Sequence, residues 1–164
     1  MAKILALNLG CGNDYRESND EIQWVNADKG ECKVDLFIDI EKVPYYLDFP
    51  NIIPTDYFDR IDAIQVLEHI EKYNFDQTIR QLYRISKNKA EWHFHVPHGL
   101  SDNFITDPTH KMPFSTRTFD YFIDGTQLRE NGIIYGWGNI KLHHVTEPFI
   151  DGNQSIHFCL RVIK

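Results

Sequence analysis

Five short apolar runs, each closing on or beside a glycine, an acid or a proline, punctuate the first hundred residues, and their order constrains the fold more than any other feature. Lys3 to Leu9 reads as a buried strand that runs into the tight loop Gly10, Cys11, Gly12, Asn13, Asp14. Gln23 to Asp28 and Val34 to Ile40 are two further strands, each reaching an aspartate near its carboxyl end. Ile61 to Leu67 is a fourth, and Glu91 to Val96 a fifth that Pro97 stops. Between these two, Phe75, Ile79, Leu82, Tyr83 and Ser86 recur with helical period behind Asn74 as the expected cap. Arg80, Arg84 and Lys87 fall on another face, expected to be solvated. Strand, helix and strand in that order make a right-handed parallel crossover.

The tail changes period. Ile156, Phe158, Leu160 and Val162 alternate with His157, Cys159, Arg161 and Ile163, and face back across Asp151, Gly152 and Asn153 to the run Ile140 to Val145. That is an antiparallel pair at the end of a mostly parallel sheet. A second helix is expected after Ser115, carrying Phe119, Phe122 and Ile123. Ser101 to Pro113 has no periodicity, and aperiodic segments of that length are often lids or binding loops. The expected architecture is α/β: a mostly parallel twisted sheet with a C-terminal antiparallel strand pair, a three-layer sandwich with a reduced first helix. The first helix is reduced because only Asn13 to Ile22 separates Gly12 from the second strand.

A chain of 164 residues supports one core, so one domain over 1–164 is expected. With 42% apolar and 25% charged residues it is neither disordered nor fibrous. No run approaches the roughly 18 apolar residues of a membrane span, and Met1 to Gly10 turns polar too quickly for a leader. Three cysteines, Cys11, Cys32 and Cys159, without metal-knuckle spacing imply neither a disulfide framework nor a zinc cluster. The expected location is the cytoplasm. A net charge of −7 repels phosphodiester backbone, so nucleic acid is not the expected partner.

In an open parallel sheet the ligand crevice lies outside the carboxyl ends of the strands, and the unusual polar groups sit there. Gly10 and Gly12 let a ligand approach the backbone. Asp28, eighteen positions beyond Gly10, can accept both hydroxyls of a ribose; Asp39 closes the third strand and Gln65 to His69 (QVLEH) the fourth. A dinucleotide site wants a third glycine and a helix holding the pyrophosphate. Tyr15 stands at that third position, so a nucleoside without phosphate is the better fit.

LNLGCGN at Leu7 to Asn13, VNAD at Val25 to Asp28, IDI at Ile38 to Ile40, VLEHI at Val66 to Ile70 and HVPH at His95 to His98 resemble the class I S-adenosylmethionine-dependent methyltransferases, with a seven-stranded Rossmann-like fold. The likeness is strongest to the small branch with LGCG and LEH motifs, and it covers about Ile4 to Pro97. It implies S-adenosylmethionine as cofactor, with S-adenosylhomocysteine as product. Gly10 and Gly12 would flank the methionyl and ribose portion and Asp28 would bind the ribose hydroxyls. Asp39 would face the adenine amino group with the Ile40 backbone nearby, and Gln65 would approach the methionyl end. Asn8 stands where the family usually has an acid that helps hold the methionyl amino group.

Methyl transfer needs an aligned acceptor more than elaborate chemistry, but a hydroxyl or protonated amine must also lose a proton. His69, His98 and His110 follow the fourth and fifth strands or lie in the aperiodic segment, and are the candidate bases. DPTH at Asp107 to His110, with Phe114, resembles a substrate-side region of related small methyltransferases. Phe104, Phe114, Phe119, Tyr121 and Trp137 are candidates for an apolar pocket wall. His93 and His95 alternate on one strand face, but no carboxylate follows at ligand spacing, so no metal site is expected. The expected function is methyl transfer to a small-molecule or sugar-like acceptor. The alternative is a catalytically silent binding module or partner subunit on the same fold; a dinucleotide oxidoreductase is a third, more distant reading.

Overall fold

The structure, a computed structural model, describes residues 3–39 and 53–164. Its strands are β1 (Ile4–Leu9), β2 (Ile22–Asp28), β3 (Leu36–Phe37), β4 (Phe58–Ile64), β5 (Ser86–Pro97), β6 (Leu142–Ile150) and β7 (Ser155–Val162). They form one sheet in the order β3-β2-β1-β4-β5-β7-β6. The β3, β2, β1, β4 and β5 strands run parallel, and β7 is antiparallel to both β5 and β6. The expected mostly parallel sheet with its terminal antiparallel pair is therefore present. Among the described residues no helix is long and apolar enough to cross a membrane.

Period-two patterning decides which face of the sheet is covered. Along β5, Trp92, Phe94 and Val96 are buried, whereas Glu91, His93 and His95 are half-buried. Along β7, Ile156, Phe158, Leu160 and Val162 are buried, and His157, Cys159 and Arg161 alternate with them. The buried set packs with Ile79 and Leu82 of helix α1 (Phe75–Ile85), and with Phe119 and Phe122, into one apolar core. Ser86 ends the helix: its hydroxyl donates to the Leu82 carbonyl at 2.7 Å and accepts from the Trp92 indole at 2.8 Å.

Several local expectations change. The third strand, expected over Val34 to Ile40, is confined among the described residues to Leu36–Phe37, and the fourth runs Phe58–Ile64 rather than Ile61 to Leu67 because Leu67 opens a 3-10 turn. The Asn74 side chain does not cap α1, because a 3-10 turn over Lys72–Asn74 leads straight into the helix and gives Asn74 helical backbone angles. The Thr78 hydroxyl donates to the Asn74 carbonyl instead, at 2.9 Å. No α-helix starts at Ser115: residues 115–123 make successive three-residue turns, with a 3-10 helix at Asp120–Phe122, and helix α3 (Arg129–Ile134) follows. The basic strip is held by specific partners rather than left to solvent. Arg80 pairs with Asp76 and donates to the Gly136 carbonyl, Arg84 donates to the Ile53 carbonyl, and Lys87 pairs with Asp59.

The reduction between β1 and β2 goes further than a short helix, since residues 11–21 cross without one. Buried amides pin that crossing. Asn8 donates to the Asp14 carbonyl at 2.7 Å and to Asn26 Oδ1 at 3.1 Å, and Asn26 donates to the Arg16 carbonyl at 3.0 Å. The Arg16 guanidinium reaches buried Asp62, which Arg60 also pairs at 2.6 Å, and lies 4.5 Å from the centre of the Trp24 ring. Charge-assisted bonds of this kind are the stronger ones, and here they replace the packing a first helix would supply.

Candidate active site

The strand ends bring the predicted groups to one edge of the sheet. Gly10 lies at φ +67, where a side chain is strained, and a Cβ there would sit 2.3 Å from Val66 Cγ2. The glycine loop is thus seated on the loop that leaves β4. Gly12 lies at φ +49 with nothing within 4 Å of where its Cβ would be, so its approach is open. The Gly12 amide donates to Asp28 Oδ2 at 2.9 Å and the Gly30 amide to Asp28 Oδ1 at 2.7 Å. Each oxygen keeps lone pairs for a further donor. An open glycine backbone beside a carboxylate with spare acceptor capacity fits a ribose, the group the resemblance requires there.

Other predicted cofactor residues are placed differently. Asn8 is buried and spends its amide donors on Asp14 and Asn26, so it braces the β1–β2 crossing rather than facing the crevice. Asp39 is buried at the end of the segment that follows β3. Ile40 lies outside the described residues. Gln65 takes a left-handed backbone, φ 53, as its amide donates to the His95 carbonyl at 2.8 Å, and this turns its side chain into a cleft. The Cys11 thiol is buried beside this loop, and burial pushes its pKa up to about 11, which keeps it protonated and unreactive.

The cleft, about 640 Å³, is lined by Gln65, Glu68, His69, Asn103, Asp107 and His110 among others. Segment 101–113 is its far wall. It holds the short helix α2 (Asp102–Thr106), whose N-cap Ser101 accepts the Phe104 amide. The Lys111 and Met112 amides latch the segment down by donating to the Glu68 carbonyl at 2.7 and 2.9 Å. His110 Nδ1 meets the Phe104 carbonyl at 3.1 Å. A carbonyl only accepts, so Nδ1 carries the proton and Nε2 is the basic atom of the neutral ring. Nε2 lies 3.9 Å from Glu68 Oε1 and 3.7 Å from Asp107 Oδ2. The His69 ring is 4.9 Å from that of His110, and its Nδ1 meets the Thr109 hydroxyl at 3.0 Å.

Glu68 is the residue that sequence reasoning passed over. It is 0% exposed, and among the described residues neither carboxylate oxygen accepts a hydrogen bond. Burial raises its pKa from 4.5 to about 7. The signal was its setting, one acid inside the apolar run Val66, Leu67, Ile70, whose turn had to be buried for the strand to end there. Glu68, His69 and His110 each bring a donor atom within 4.8 Å of the other two, close enough to share a proton or a cation.

His98 is not part of this group. Its Nδ1 accepts the Leu100 amide at 3.2 Å and its own amide donates to the Gln154 carbonyl, so it braces a turn. Of the predicted wall, Phe114 and Phe119 are core and Phe104 stacks on His110 at 5.4 Å. Tyr121 and Trp137 line a different, apolar cleft of about 660 Å³ with Tyr73, Phe75 and Tyr135.

No protein-family model matches the sequence, and no curated relative matches it. Solved structures do match in fold. A SAM-dependent methyltransferase from Archaeoglobus fulgidus superposes with a TM-score of 0.60 at 16% identity, over 97% of this chain and 86% of that one. Another from Aquifex aeolicus gives 0.58 at 12% identity, over 98% and 82%. The (4+2)-cyclase SpnF gives 0.62 at 13% identity, over 98% and 75%. A methyltransferase and a cyclase share this architecture, so the fold alone leaves the reaction open. Strand order, terminal antiparallel pair and superposition together establish that this chain has the fold of the class I S-adenosylmethionine-dependent methyltransferases.

Proposed function

We propose that the chain binds S-adenosylmethionine over Gly12 and Asp28 and directs methyl transfer to a small-molecule or sugar-like acceptor held in the cleft of Gln65, Glu68, His69 and His110. The carrying observation is the juxtaposition at one sheet edge of an open glycine backbone with its carboxylate and a buried acid facing a histidine. The cofactor would supply the methyl group. The acceptor hydroxyl, within reach of His110 Nε2, gives up its proton to that nitrogen, and Glu68, where ionised, stabilises the resulting imidazolium. Gln65 orients polar groups at the mouth of the cleft, and segment 101–113 screens it from water. The same reading keeps the chain in the cytoplasm and away from nucleic acid, in line with its charge of −7.

Calorimetry with S-adenosylmethionine and S-adenosylhomocysteine tests the first half, and is expected to give binding that Asp28→Ala weakens by about tenfold or more. Thermal unfolding of the variant checks that its glycine loop survives. Tighter binding of NADH than of either ligand would overturn the assignment. For the second half, radiolabelled methyl transfer to a metabolite panel should fall about 10²–10⁴-fold in Glu68→Gln with cofactor affinity kept within about twofold. An unchanged rate removes Glu68 from the chemistry. One observation favours the silent-module reading: both Asp28 oxygens already accept backbone amides and no helix follows the glycines. Failure of both ligands to bind would select it.

A further inference from the structure

The face of the sheet turned away from α1 carries a row of side chains, most of them of types that can ligate a metal, that the candidate site does not use. On β5 and β7, Glu91 pairs across with Arg161, His93 with Cys159 and His95 with His157. Side chains opposite one another on adjacent antiparallel strands are close enough to act on one ligand. Glu91 is already neutralised by Arg161 at 2.6 Å, which sets a cation beside the His93 end of the row. At the other end no Lys or Arg pairs with His95 or His157 among the described residues, and the β6–β7 turn adds a carboxylate, Asp151.

Asp151 is held in place by its turn. Its Oδ1 accepts the Asn153 and Ser155 amides at 2.8 and 3.0 Å, which aims Oδ2 at the two imidazoles. His157 Nε2 lies 2.9 Å from that oxygen and His95 Nε2 lies 3.5 Å from it. His95 Nε2 is shielded from solvent and has no hydrogen-bond partner among the described residues. His157 lies between the Phe149 ring at 4.7 Å and the His95 ring at 4.0 Å. The three donor atoms lie within 4.8 Å of one another beside a cleft of about 200 Å³. Metal–nitrogen and metal–oxygen bonds of roughly 2.0–2.1 Å at tetrahedral or octahedral angles separate neighbouring ligand atoms by roughly 2.9–3.4 Å. The Asp151–His157 edge of 2.9 Å matches that spacing and the Asp151–His95 edge of 3.5 Å lies just beyond it, so the stacked rings must turn until both Nε2 lone pairs converge on the ion.

We propose that His95, Asp151 and His157 form a binding site for a divalent transition metal of the zinc class, with solvent as the remaining ligand. Two imidazoles and one carboxylate suit borderline cations rather than magnesium or calcium, which want an all-oxygen set. The metal ties the β6–β7 turn to β5. That turn in turn holds the cleft wall, since the Asn153 carbonyl accepts from Asn103 at 2.8 Å and the Gln154 carbonyl from the His98 amide at 2.9 Å.

The test uses the whole chain after chelator treatment, with Zn²⁺ alone as probe, followed by calorimetry and by the imidazole nitrogen resonances in NMR. One equivalent of Zn²⁺ is expected to move the His95 and His157 resonances in the wild-type chain. Asp151→Asn and His157→Ala should each weaken that equivalent by about tenfold or more, while Cys159→Ser and His110→Ala leave it unchanged. The wild-type NMR arm decides even where a variant fails to fold. Unmoved His95 and His157 resonances overturn the proposal. So does loss of the equivalent in Cys159→Ser or His110→Ala, or sedimentation showing that zinc binds only by joining two copies.

Discussion

Replacing Arg129 with alanine will lower folding stability by about 3–5 kcal/mol, because a buried cation is lost and the four backbone carbonyls it serves are left without a donor. The guanidinium is nearly enclosed, 6% exposed, and donates in five directions. Its Nε reaches Asp124 at 2.8 Å, Nη2 the Gly138 carbonyl at 2.9 Å, and Nη1 the Ile140, Tyr121 and Trp137 carbonyls at 3.0, 3.3 and 3.4 Å. Helix α3 has six residues and cannot stand by itself. It is also pressed against the chain, because a Cβ on Gly132 would lie 2.1 Å from the Tyr121 carbonyl oxygen. The guanidinium therefore organises the 121–140 segment from within, and alanine leaves four carbonyls facing a cavity. Urea unfolding measures the loss; lysine at the position should recover only part of it, since one ammonium cannot replace a planar fork. A loss below about 1 kcal/mol would show that water takes over the carbonyls.

The second large effect is on the pH dependence of stability, and it comes from Glu68. Its carboxyl titrates at about 7 in the folded chain and at 4.5 when unfolded, because burial disfavours the charged form. Between those values the folded state holds the proton that the unfolded state has released, so stability from this group falls as pH rises from about 4.5 past 7. Above that window the folded chain carries a buried anion, a penalty of roughly 3 kcal/mol. Glu68→Gln removes it. The variant should be more stable than wild type by about that amount at pH 8.5 and by much less at pH 5.5, measured by denaturant unfolding with chelator present. A difference independent of pH would mean that Glu68 is already paired in the folded chain.

Sequence periodicity located β7 because that strand has one face in the core and one half-exposed, whereas β1 and β4 read as continuous apolar runs because successive residues along them are buried. The alternation at Ile156 to Val162 and the helical stripe from Phe75 both report that asymmetry, and the structure has those elements where expected. It failed where a local preference was overruled by a neighbour. Asn74 looked like a cap, but a preceding 3-10 turn had already supplied the first helical carbonyls. The aromatics after Ser115 looked helical, but they serve a core reached from turns. Asn8 was assigned to the crevice by analogy, and its partners Asp14 and Asn26 are visible only once β1 and β2 are paired in register.

What the chain's order of residues determined alone is the order of the sheet's strands, though not every boundary, that most run parallel, and that Asp28 and the Gln65–His69 turn lie at carboxyl ends. Those properties depend on patterns within a few residues, and such patterns are written locally. Tertiary structure alone assembled the candidate sites. Glu68 became a weak acid by losing water, and it faces a histidine forty-two positions later in the chain, 110 − 68, only because segment 101–113 folds back onto the β4 loop. Asp151 met His95 across a sheet pairing between strands far apart in sequence. Acidity and ligand geometry depend on desolvation and on distances between remote residues, and neither quantity exists until the chain has folded.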